Sequence, residues 1–223
     1  MADFVFVHGG NMDTATWNGL TTGEEVFTED GKMGGEIWDG TVSFLRDQGH
    51  RAFAPTLAGE YSCNLSGHIR EICVLLAENN LHDVILVGHS YGGMVITGVA
   101  ARIPENVGRL VYVDAALPDS GQSLYDLIES AGIDAGSFSG LEPAPPYVEK
   151  LFFDPSKIRA IPKTYILCTK SDFVSVTGVA RRKIEADPDG WEYFELPASH
   201  VPMADMPAEF YGLIGDLIQS PGE

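Results

Sequence analysis

Six short apolar runs recur along the chain: Phe4-Val5-Phe6-Val7, Arg51-Ala52-Phe53-Ala54, Val84 to Gly88, Leu110-Val111-Tyr112-Val113, Thr164 to Cys168 and Trp191 to Leu196. Several are apolar at consecutive rather than alternate positions, which is the pattern of strands covered on both faces. Between them, apolar residues return every three or four positions, predicting amphipathic helices over Ile37 to Gln48, Leu65 to Asn79, Tyr91 to Ile103, Val176 to Ala186 and Ala208 to Gln219. Strands alternating with helices predict an α/β fold, with a mostly parallel central sheet and helices on both faces.

Two stretches break this rhythm. The first, about Asn18 to Gly35, is rich in Gly, Thr and Glu and delays the first predicted helix; it reads as an inserted loop near the upper edge of the sheet. The second, Pro118 to Pro162, is rich in Pro, Gly and Ser and holds two short helical patterns, Leu124 to Ala131 and Tyr147 to Phe153. An excursion of that length between two strands is expected to be a small cap or binding loop. The 223 residues are expected to form one domain.

Charge and cysteines narrow the partners. With 14 basic and 32 acidic residues the formal charge is −18, which leaves no basic stripe for nucleic acid or an anionic membrane surface. Cys63, Cys73 and Cys168 have neither disulfide nor metal spacing, and Cys168 falls in a strand-like run as a buried thiol. No leader-like or membrane-spanning apolar stretch is read, so the expected location is cytoplasmic. The expected partner is a small-molecule substrate, and a homodimer is compatible with the composition. No nucleotide-binding glycine loop and no metal-type His/Asp cluster is present, so no cofactor and no metal is expected.

The chemistry begins at Gly88-His89-Ser90-Tyr91-Gly92, between the third apolar run and a helical stretch. A strand feeding a sharp turn that opens a helix lifts a serine hydroxyl above the C-terminal edge of a sheet. A serine needs a base to take its proton, and the base needs an orienting acid. His200 follows the last strand and Asp172 follows the fifth, so the chain order is Ser, Asp, His. Asp114, at the end of Leu110 to Val113, is the rival acid. Among the other histidines, His50 and His82 precede strands, at the opposite edge of the sheet. His68 falls in a helical pattern, His89 packs beside the site, and His8 with its adjoining glycines shapes a loop. The loop His8-Gly9-Gly10-Asn11 can aim a backbone N–H at a reacting carbonyl oxygen. The Tyr91 N–H at a helix start supplies a second oxyanion donor.

His8-Gly9-Gly10, Gly88 to Gly93, Asp172 and His200 together resemble the α/β-hydrolase superfamily, over nearly the whole chain. Val87 to Gly93, Val111 to Pro118 and Ser199-His200-Val201-Pro202-Met203 resemble its plant methylesterase and hydroxynitrile lyase branch, with bacterial esterase-like relatives. The resemblance implies an α/β-hydrolase fold with a small cap, Ser90 as nucleophile, His200 as base, Asp172 as orienting acid, and Gly10 and Tyr91 as oxyanion donors. Two departures stand out: the Gly/Glu-rich insertion after Trp17, and a cap shorter than in the plant members. Hydroxynitrile lyases of the branch carry Lys after the base and Thr after the first-strand His, where this chain has Val201 and Gly9.

The expected activity is therefore that of a cofactor-free serine hydrolase acting on a carboxylic ester or related acyl compound. Carbon–carbon cleavage on the same triad and a non-catalytic ligand-binding receptor are the alternatives. Residues adjacent to the catalytic elements, Asn11, Leu117 and Val201, are the expected substrate liners.

Overall fold

Residues 1–10, 12–137 and 141–218 are described by the structure, a computed structural model. The six predicted strands form one sheet: β1 (Asp3–Val7), β2 (Arg51–Phe53), β3 (Val84–His89), β4 (Val107–Val113), β5 (Lys163–Cys168) and β6 (Trp191–Leu196). Their order is β2-β1-β3-β4-β5-β6, and every pairing is parallel.

Side-chain alternation within the strands explains the continuous apolar runs. Phe4, Phe6, Ile85, Val87, Val111, Val113 and Ile166 enter one buried cluster. Val5, Val7, Val84, Leu86, Leu110, Tyr112 and Tyr165 enter another on the opposite face. The central strands thus feed two cores, which is why their apolar residues run consecutively rather than alternating with polar ones. Helices α3 (Leu65–Glu78), α4 (Gly92–Arg102), α5 (Leu124–Ser130) and α7 (Val174–Ala186) cover one face. The other is covered by α1 (Thr14–Leu20), α2 (Asp39–Asp47) and α9 (Pro207–Asp216), together with a 3-10 turn at Gly34–Trp38.

Differences from the sequence reading are local. The first helix is α1, which begins before the insertion and ends inside its first residues, and it is started by the Asp13 side chain accepting from the Thr16 N–H at 2.6 Å. Its seven residues are too few for periodicity to register. In the stretch before β5, α5 follows a Ser123/Asp126 capping box as expected. The second short helix, α6, covers Pro145–Val148 rather than 147–153, because Pro145 starts it and the chain leaves helical geometry at Glu149. A further short helix, α8 (Pro202–Asp205), precedes α9. Among the described residues no helix is long and apolar enough to cross a membrane.

The strand order places the site. From β1 the chain crosses to β2 on one side, and β3 pairs on the other, so the connections diverge at the C-terminal ends of β1 and β3. That divergence opens a crevice in parallel sheets. Val7 pairs with Gly88, so the loop after β1 and the serine turn after β3 emerge side by side.

Candidate active site

Ser90 has φ +54°, a left-handed conformation that costs a non-glycine residue about 1–3 kcal/mol. The turn is held from both sides. The Ser90 N–H donates to the Val113 carbonyl at 3.2 Å, and the Ser90 carbonyl accepts from Ala116 at 2.9 Å and Gly93 at 3.1 Å. The surrounding glycines are required by close approach. A Cβ on Gly88 would sit 2.7 Å from the Gly92 carbonyl carbon, and one on Gly92 would sit 2.5 Å from the Val7 oxygen. The loop after β1 passes as close: a Cβ on Gly9 would lie 2.7 Å from Ser90 Cβ and 3.2 Å from Ser90 Oγ.

His200, in the loop after β6, reaches the same sheet edge. Its Nδ1 lies 2.7 Å from Asp114 Oδ2. The carboxylate at the histidine is therefore Asp114, and this corrects the choice of Asp172. Asp114 follows directly on β4, the strand beside that of Ser90, and is fully buried with φ +44°. Its other oxygen accepts from the Cys168 N–H at 3.0 Å, and its own N–H donates to Ile166 at 2.8 Å. Asp172 lies four residues beyond β5 and is exposed, while its neighbours turn inward. Phe173 packs its ring 4.9 Å from the His200 ring, and Ser171 Oγ lies 3.5 Å from His200 Nδ1. Nothing in the sequence pattern distinguishes the two acids except that Asp114 ends its strand without a spacer.

Hydrogen-bond partners fix the imidazole tautomers. A carboxylate can only accept, so His200 carries its proton on Nδ1 and presents the Nε2 lone pair. His8 donates from Nδ1 to the Gly9 carbonyl at 2.8 Å and accepts from the Leu57 N–H at Nε2, 2.9 Å. That bonding is the loop-shaping role expected of it, and burial lowers its pKa. His68 donates from Nε2 to the Ala58 carbonyl at 2.9 Å and accepts from the Tyr91 hydroxyl at 3.0 Å.

Both expected oxyanion donors border the serine turn. Tyr91 precedes the first helical residue of α4, so its N–H has no intrahelical acceptor. Among the described residues, neither it nor the Gly10 N–H donates to a protein acceptor. Ser90, His200, Gly10 and Tyr91 thus gather where the parallel strands end.

The alpha/beta hydrolase family matches residues 4–155, about two thirds of the chain. This chain belongs to the alpha/beta hydrolase family. A carbendazim hydrolyzing esterase of Nocardioides sp. (strain SG-4G) is 41% identical over 140 residues, 59% of this chain and 49% of that protein. Methylesterase 18 of Arabidopsis thaliana is 31% identical over 105 residues, 43% of this chain and 40% of that protein. These matches span half or less of those relatives' lengths. A pyrethroid hydrolase from Sphingobium faniae JZ-2 superposes with a TM-score of 0.72 at 21% identity, covering 99% of this chain and 98% of that one.

Within this hydrolase fold a cavity of ≈ 380 Å³ adjoins the serine turn, lined by Gly9, Gly10, His89 and Tyr91. Its far wall is the insertion (Thr28 to Gly34), with Glu36 and Ile37 after it. The loop after β2 (Thr56 to Glu60) and Tyr147 of α6 close the sides. Tyr147 donates to Glu60 at 2.7 Å, and Lys32 of the insertion lies 3.9 Å from the same carboxylate.

Tyr91, expected as an oxyanion donor, borders this cavity. Of the expected liners, Val201 is buried in the core on the α9 face and Leu117 lines a separate hollow with Tyr112 and Trp191, so neither borders this cavity. Asn11 lies outside the described residues. Sequence adjacency to Ser90, Asp114 or His200 does not by itself bring a residue to this cavity. The other lining residues include Thr28 to Gly34, from the Gly/Thr/Glu-rich insertion, and Thr56 to Glu60, from a loop that carried no signal in the sequence pattern.

Proposed function

We propose that this chain is a cofactor-free serine hydrolase that cleaves a carboxylic ester, or a related acyl compound, through an acyl-enzyme on Ser90. The observation that carries the reading is the bond from His200 Nδ1 to Asp114, which leaves the Nε2 lone pair free to act as a base at the sheet edge where Ser90 sits in a left-handed turn. Similarity to proteins named as esterases and hydrolases supports the bond type.

In this mechanism His200 Nε2 takes the Ser90 proton as Oγ bonds to the substrate carbonyl carbon. The carbonyl oxygen becomes an oxyanion held by the Gly10 and Tyr91 N–H groups, with the α4 dipole behind them. Asp114 stabilises the imidazolium. His200 then gives the proton to the departing alkoxide, so the alcohol leaves and the acyl group stays on Ser90. Water, deprotonated by His200, attacks the acyl carbon and releases the acid, restoring the serine. Each oxyanion donor contributes about 3 kcal/mol to transition-state stabilisation. The substrate is a small molecule seated in the cavity, which lies at the low end of the ~300–1,000 Å³ usual for small-molecule sites. The insertion at 18–35 supplies its outer wall, and the cap at 118–162 contributes Tyr147.

The test is stopped-flow hydrolysis of p-nitrophenyl acetate. A burst of one equivalent of nitrophenol, abolished in Ser90→Ala, is expected. Full turnover by that variant would overturn the proposal.

A further inference from the structure

His89 is the second residue of the serine turn, and the sequence reading gave it no role beyond packing. Its surroundings are unlike those of a filler side chain. The ring is buried, sits 4.6 Å from the His200 ring and meets the Trp38 ring edge-on at 6.2 Å. Its Nε2 lies 2.7 Å from the main-chain carbonyl of His200, 111 residues away in sequence. A carbonyl can only accept, so His89 carries its proton on Nε2, and Nδ1 is left buried without a partner.

The loop that carries His200 is otherwise tied on its flanks. The Lys170 N–H donates to the Ala198 carbonyl at 3.0 Å, the Ser199 N–H to Asp205 at 2.8 Å, and the Val201 N–H to Ser199 Oγ at 3.2 Å. At His200 itself, the main-chain carbonyl is held by His89. The Nδ1 bond to Asp114 sets which way the imidazole turns; the His89 bond sets where its backbone stands. His89 is also the last residue of β3 and immediately precedes Ser90. One side chain therefore ties the base loop after β6 to the strand that carries the nucleophile, across β4 and β5.

We propose that His89 is a positioning residue, acting through His200 by fixing its main chain relative to Ser90. The inference rests on the serine-hydrolase reading above. A neutral donor suits the place: burial and the adjacent His200 ring both hold His89 well below the usual imidazole range, so it adds no charge beside the imidazolium formed in turnover. An unpartnered Nδ1 is a cost that a purely structural position could avoid with an apolar ring.

The test compares His89→Phe, which keeps a planar ring but no donor, with His89→Gln, whose amide N–H reaches about as far as Nε2. Displacing a reacting group by ~1 Å costs about 100-fold. In p-nitrophenyl ester turnover, His89→Phe is expected to lose about that factor in kcat with KM changed much less. His89→Gln is expected to recover at least about ten-fold of the loss. Equal activity of His89→Phe and wild type, or equal loss in both variants, would overturn the proposal. Long-range 1H–15N NMR of the unmodified protein gives a reading that needs no variant to fold: a neutral Nε2–H tautomer at His89 is required, and an Nδ1–H tautomer rules it out. Failure of wild type to turn over any ester would instead remove the hydrolase reading on which the inference stands.

Discussion

Replacing Asp114 by Asn keeps the shape of the buried side chain and changes what it offers His200. The carboxylate accepts from two sides, Cys168 N–H at 3.0 Å and His200 Nδ1 at 2.7 Å. An Asn that keeps the Cys168 bond through its oxygen must turn its NH2 towards His200. The imidazole then has to accept at Nδ1, its proton moves to Nε2, and the lone pair that should take the Ser90 proton is gone. The analogous Asp→Asn change in a serine protease triad costs about 10⁴-fold in kcat, about 5 kcal/mol of barrier. A loss of that order in kcat/KM at pH 7.5 is expected for Asp114→Asn, measured with p-nitrophenyl acetate. Asp172→Asn, at an exposed position, should stay within about two-fold of wild type, since surface changes away from a site have small effects. Melting temperatures, read alongside, separate lost catalysis from lost fold. Retention of a tenth or more of wild-type activity by Asp114→Asn, with a collapse in Asp172→Asn, would refute the pairing.

Three further outcomes are expected. Gly9→Ala places a methyl 2.7 Å from Ser90 Cβ, so the loop bearing the Gly10 N–H must retreat; kcat should fall about 100-fold, and unaltered kcat would show that the loop does not serve the serine. Ala58→Trp, at an exposed cavity-lining position, should raise KM for long acyl esters while sparing acetate; an equal effect on both would place the substrate elsewhere. Acid should destabilise the fold through His8 and His89, whose pKa values burial depresses. Below about pH 6.5 the unfolded chain takes up protons that the folded one refuses. Stability is therefore complete above that pH and falls beneath it by up to ~1.4 kcal/mol per pH unit for each group. Urea melts between pH 7.5 and 5.5 should show this slope, about halved in His89→Gln; a flat profile would contradict it.

Much of the fold could be read from the chain because its strands are buried on both faces. Consecutive apolar residues such as Val84 to Val87 leave little alternative to a parallel sheet, and all six strands lie where their runs predict. Ser90 was legible because its glycines answer to close backbone contacts, which leave a fixed spacing in sequence. His200 was legible as the histidine following a final strand. Which carboxylate meets His200 was not, since both candidates follow strands, and what separates them is a left-handed φ at Asp114 and the outward turn of Asp172. Neither property is written in local residue pattern. The cavity was hidden for a related reason: its walls come from three irregular loops whose side-by-side placement depends on the crossover between β1 and β3.

Whether Ser90 itself carries the acyl group is read most directly by trapping. The protein would be incubated with a fluorophosphonate, digested, and the modified peptide sequenced by mass spectrometry. The account predicts one adduct per chain, on Ser90, with ester turnover falling in proportion to labelling and no labelling in Asp114→Asn on the same timescale. Turnover that continues undiminished on a fully labelled Ser90, or a label on another residue that alone tracks inactivation, would contradict it.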